Sequence, residues 1–119
     1  MMVAITPPDA HLALDAENPE LIRAKIIAET ARIPWHDLQK FFAAGSVITV
    51  EPTLDLIDVA FAFSQDNKAK VAEWLATAQV GRTSEQQATN WYQHQAELWA
   101  VVISPWVLVQ DKPAATSLN

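Results

Sequence analysis

Glu29, Asp55 and Asp58 are the carboxylates whose surroundings in the chain could support chemistry. Glu29 follows Ile26 by three residues and precedes Ile33 by four, which is the spacing of one helix face. A carboxylate on an apolar face loses hydration. It then either pairs with a donor, such as Arg32 or an indole N–H, or serves as a general base or ligand group. In the second case Asp55 or Asp58 is the partner that divides the acid and base roles with it. Glu51, Asp55, Asp58 and Asp66 form an acidic run with no basic residue among them. Glu51 and Asp55 flank a turn and could share a hard cation through oxygen ligands. Their spacing matches no EF-hand loop, and turn residues are acidic for ordinary reasons of solvation and capping, so no metal is assigned.

Other chemistries lack their residues. The chain has no cysteine, which excludes thiolate catalysis, disulfides and cysteine-ligated metals. His11, His36 and His94 are nowhere three or four residues apart, so no helical metal pair exists. Two glycines in the chain leave no phosphate-cradling loop and no GxSxG elbow, and no cofactor is expected.

Five tryptophans in 119 residues stand out. Trp35, Trp74 and Trp91 fall on helical stripes, where packing explains them. Trp99 and Trp106 fall in a C-terminal strand. Trp106 is the better interface candidate, because the proline before it points to an irregular or edge segment.

The elements that must position these residues follow from periodicity and punctuation. Asn18-Pro19-Glu20 opens a helix over 19–32 carrying Ile22, Ile26 and Ile33, with Pro34 closing it. Trp35, Leu38, Phe41 and Phe42 stripe a second helix over 35–44, ended by Gly45. Val47, Ile48 and Val50 before Pro52 read as a strand over 46–51. The alternation of Ile57, Val59, Phe61 and Phe63 with Asp58, Ala60, Ala62 and Ser64 reads as a second strand over 56–64, with 52–55 as a hairpin loop. Asp66 is a cap candidate for a helix over 67–79, with Val71, Trp74, Leu75 and Ala78 buried and Gly81 at its exit. Ser84 and Gln87 form a capping box for a helix over 84–96. Leu98–Val109 completes the set as a buried strand. The expected architecture is therefore α+β, with about four helices covering one face of about three antiparallel strands. No internal repeat is visible. Residues 1–17 and 111–119 are expected to be loose ends of a single domain over 18–110.

Eight basic residues against fourteen acidic ones give a net charge of −6. The cations are scattered, and the second helix offers only Lys40, so a nucleic-acid partner is not expected despite two closely spaced helices. The longest apolar run, Leu98–Val109, is broken at Ser104 and Pro105 and falls short of the roughly 20 residues that span a bilayer. A cytoplasmic location is expected, with no membrane association.

The phrases Glu29-Thr30-Ala31-Arg32-Ile33-Pro34-Trp35, Phe41-Phe42-Ala43-Ala44-Gly45, Leu54-Asp55-Leu56-Ile57, Leu98-Trp99-Ala100-Val101-Val102 and Pro105-Trp106-Val107-Leu108-Val109-Gln110 together resemble a family of small bacterial proteins, domain of unknown function 2288. The resemblance spans about residues 21–110. It implies a bacterial cytoplasmic domain and no particular reaction or ligand. It also draws attention to Glu29, Thr30, Trp35, Asp55 and Gln110, polar or indole groups within apolar phrases.

With no catalytic constellation and surplus tryptophans, the expected function is a non-enzymatic interaction module that self-associates as a homo-oligomer. The competing expectation is a small-molecule or metal-assisted enzyme using Glu29 with Asp55 or Asp58.

Overall fold

The computed structural model describes residues 18–111. The chain opens with α1 (Pro19–Glu29), which Asn18 caps by accepting hydrogen bonds from the N–H groups of Glu20 and Leu21. Thr30 is extended, so the helix stops there, and β1 (Ala31–Pro34) follows. Next come α2 (Trp35–Ala43), β2 (Val47–Val50), α3 (Leu56–Ser64), α4 (Lys68–Ala76) and β3 (Val80–Arg82). The chain ends with α5 (Glu85–Gln93), β4 (Glu97–Ile103) and β5 (Trp106–Gln110). The class is α+β, as expected. The inventory is five strands and five helices among the described residues, where the sequence pointed to three and four.

The strands form one sheet in the order β1-β4-β5-β2-β3. All pairs are antiparallel except β5 with β2, which run parallel. The sheet is covered on both faces rather than one. On one side Ile48, Val50, Val101 and Leu108 meet Ile26 of α1 and Leu56, Val59 and Ala60 of α3. On the other, Val47, Leu98, Ala100, Val107 and Val109 meet Trp35 and Leu38 of α2 and Ala88 and Trp91 of α5. Strand residues of alternate parity feed the two cores, which is why β5 is buried along nearly its whole length.

The largest correction concerns residues 56–64, which are helix α3 and not a strand. Leu56, Val59, Ala60 and Ala62 are buried, and Ile57, Phe61 and Phe63 also pack on the core. A helix apolar over most of its circumference belongs between other elements, and its pattern mimics an alternating strand. Here α3 is wedged between α1, α4 and the sheet. Asp55, expected in a hairpin loop, instead caps α3, its Oδ1 accepting from the Ile57 N–H at 2.8 Å. The expected strand over 98–109 is two strands joined by a turn at Ser104-Pro105, where the peptide is cis. Strands β1 and β3 were not anticipated. They are four and three residues long, one ending in proline and the other containing glycine, too short to show a period.

The edge at β1 has one donor fewer to offer a further strand. Ile33 faces Leu98 and the Trp35 N–H donates to the Ala96 carbonyl, so odd-numbered residues bond to β4. Arg32 and Pro34 then present their backbones outward, and Pro34 has no N–H to offer.

Although no repeat is visible in the sequence, helices α2, α3, α4 and α5 end in the same way. The residues just past their C-caps, Gly45, Asp66, Ala78 and Gln95, all have positive φ. Behind them the N–H groups of Ser46, Asn67, Gln79 and Ala96 each reach back five residues, to the carbonyls of Phe41, Ala62, Trp74 and Trp91. This is the Schellman motif used four times, once with glycine.

Candidate functional site

The residues singled out by the sequence converge only in part. Thr30, Asp55, Trp99 and Gln110 line one groove of about 580 Å³ on the sheet face that carries α1 and α3. Glu29 is exposed at the end of α1 and does not line it. The helical stripe proposed for Glu29 breaks at Thr30, because Ile33 lies on β1 and Ile26 is the one buried residue of α1. Trp35 lies on the opposite face, 1% exposed, packed edge-on against Trp91 at 5.2 Å and beside Phe42 at 5.6 Å.

The groove has a polar end and an apolar body. At the polar end Gln110 Nε2 donates to the carbonyls of Glu51 and Leu54, at 2.9 and 2.7 Å. These two bonds hold the connection from β2 to α3 in a fixed shape. Thr53 accepts from Gln79 Nε2 at 3.5 Å, and Thr30 Oγ1 donates to the Ile26 carbonyl at 2.7 Å. The body is formed by Ile27, Leu54, Leu56, Ile57 and the Trp99 ring. Ile27 is 55% exposed and Trp99 36%, both high for side chains of this size. Trp99 lies directly opposite Arg32 in the sheet register, with the guanidinium 5.5 Å from the ring centroid. Arg32 also pairs with Glu97 at 3.6 Å.

Asp58 lies in a neighbouring depression of about 440 Å³, which Asp55 also lines. Its Oδ1 accepts from Arg23 at 2.7 Å. The two aspartates therefore share a depression, each with a structural engagement, while Glu29 does not line it. Glu51 is exposed beside Gln110, and among the described residues no three carboxylates or imidazoles gather as a metal site. His36 and His94 are exposed, and His94 Nδ1 donates to the Asn90 carbonyl at 2.8 Å. His11 lies outside the described residues.

Trp106, the favoured interface residue, is half-buried. It lines an apolar depression of about 470 Å³ with Phe63, Leu75, Ile103 and Pro105, and Arg82 covers its ring at 5.7 Å. Trp99 is the more exposed of the two strand tryptophans. Ile27 is the residue that sequence reasoning missed. It looks like any helical isoleucine, and only the pairing of β1 with β4 brings it beside Trp99.

No helix among the described residues is long and apolar enough to cross a membrane. No curated protein matches the chain. The fold is similar to that of PA1075 from Pseudomonas aeruginosa, solved in solution by NMR, with a TM-score of 0.72 and 34% sequence identity. That likeness covers 99% of this chain and 100% of the other. The family described as "Protein of unknown function (DUF2288)" matches residues 21–111, the stretch that builds both faces of the sheet. The chain belongs to this DUF2288 family.

Proposed function

We propose that the protein is a non-catalytic interaction module that self-associates through the Trp99 groove, and that a cytoplasmic setting goes with this role. The observation that carries the reading is the pairing of an exposed apolar knob, Ile27, with an apolar groove in the same patch. An isologous two-fold contact requires such a patch to complement a copy of itself. Arg32 over Trp99 places a cation at the rim of the patch. Trp99 supplies the aromatic anchor typical of interface centres.

The carboxylates speak less for catalysis. Asp55 is engaged in capping α3 and Asp58 in pairing with Arg23, and Glu29 lines neither depression.

Sedimentation equilibrium across the micromolar range tests this reading. The protein is expected to sediment as a dimer, and Ile27→Asp to weaken the dimer by about tenfold or more, since a charge is then buried without a partner. Ile27 is exposed in the single chain, so its replacement leaves the fold intact, as circular dichroism would verify. A monomer at every concentration, or a dimer that Ile27→Asp leaves unchanged, overturns the proposal.

A further inference from the structure

The depression beside the groove carries a different chemistry. Arg23 of α1, Asp55 and Asp58 at the start of α3, and Lys70 of α4 all line its roughly 440 Å³, over a floor that includes Phe61 and Trp74. Arg23 is held in place twice: its guanidinium lies 4.9 Å from the Phe61 centroid and its Nη1 donates to Asp58. Lys70 Nζ lies 5.7 Å from the Trp74 centroid, and among the described residues it pairs with no carboxylate. Each aspartate uses Oδ1, Asp55 for the Ile57 N–H and Asp58 for Arg23. Among the described residues neither Oδ2 has a hydrogen bond.

The depression thus offers two cations and two carboxylates with spare bonding capacity, above aromatic rings. A simple anion would meet the aspartates, and a simple cation would meet Arg23 and Lys70. A ligand carrying both charges satisfies all four groups. The size falls within the range of small-ligand sites, and an apolar body suits Leu54 and Ala62 in the lining.

We infer that this depression binds a small zwitterion, an α-amino acid with an apolar side chain. Its carboxylate meets Lys70 and the remaining N–H groups of Arg23. Its ammonium meets the Oδ2 atoms of Asp55 and Asp58. Its side chain lies against Leu54 and Ala62, which also line the depression. The site does not depend on self-association, since every residue in it comes from one chain.

Titration of the ¹⁵N-labelled protein with L-phenylalanine and L-leucine, followed by amide shifts, tests the inference. At least one should shift the amides of Arg23, Asp58, Phe61, Lys70 and Trp74 in a saturable way. Phenethylamine and 3-phenylpropionate, each lacking one charge, should bind about tenfold more weakly, the scale of one lost charge-assisted hydrogen bond. Lys70→Met and Asp58→Asn should each weaken binding by a similar factor, with unchanged far-ultraviolet dichroism. Both positions are exposed, so the fold survives the changes. Ile27→Asp, which disrupts the proposed dimer, should bind the amino acid normally, so the two proposals can fail separately. No saturable shift at these amides with either amino acid overturns the inference, and so does equal binding of the single-charge analogues or of Lys70→Met.

Discussion

Gln110 is a single amide that sets the shape of the groove. Its Nε2 bonds to two carbonyls in the connection between β2 and α3, 59 and 56 residues away in sequence. Replacing it by alanine leaves the Leu54 carbonyl partly buried and unpaired. Gln110→Ala should cost about 1–3 kcal/mol in urea unfolding, the range for an orphaned buried group. Thr49 and Thr83 make a comparable pair on the opposite face, with hydroxyl oxygens 2.6 Å apart and Thr83 9% exposed. Thr83→Val keeps the volume and strands the Thr49 hydroxyl, so it should also cost about 1–3 kcal/mol. The double variant with Thr49→Val should cost less than the sum of the two single changes, because no unpaired partner remains. Additive losses would mean that the hydroxyl pair contributes little.

At the scale of elements, the four Schellman exits carry the clearest consequence. Ala78 holds φ at +62°, a conformation with a steric cost for any residue bearing a Cβ. Ala78→Gly should therefore stabilise the protein by about 1 kcal/mol, and Gly45→Ala, at φ +78°, should destabilise it by a similar amount. Thermal unfolding of the two variants reads both signs. The same four exits explain how far the elements were legible in the sequence. Gly45 announced the end of α2, whereas Ala78 and Gln95 do the same work without a signal. Asp66, expected to cap the next helix, closes α3 instead, and Asn67 caps α4. Gly81, expected at the exit of α4, lies in β3, and Ala78 takes the exit. Helix starts were easier to read. Asn18 with Pro19, and Ser84 with Gln87, carry their capping chemistry in their side chains, and both caps are present. Residues 56–64 were ambiguous for a physical reason, since a helix enclosed on most sides has apolar residues at both periods. Strands β1 and β3 are stabilised by their neighbours, not by any pattern of their own. For the site, Thr30, Asp55 and Gln110 stood out as polar groups in apolar phrases, and they do meet. Their meeting with Ile27, like that of Arg23 with Lys70, depends on packing and strand order that no local spacing encodes.

At the scale of the whole molecule, a five-stranded sheet with helices on both faces encloses two apolar cores. Trp35, Leu98, Leu108, Val59 and Val109 are sealed inside at 1% exposure or less. Leu21, Ile27, Leu75, Tyr92, Trp99 and Val102 stay exposed, Leu75 on a helix stripe expected to be buried. Of these six, Ile27 and Trp99 are the two that open onto the same groove. The net charge of −6 opposes close approach of two copies in general. Association should therefore strengthen with added salt until repulsion is screened, and an apolar contact should survive that screening. The most direct test is an isotope-filtered NOE experiment on a mixture of ¹³C-labelled and unlabelled protein. Intermolecular NOEs are expected from the Ile27 methyl groups to Trp99, Leu54 or Ile57 of the other copy. NOEs confined to the Trp106 depression, or none from a sample that sediments as a dimer, would contradict self-association through the Trp99 groove.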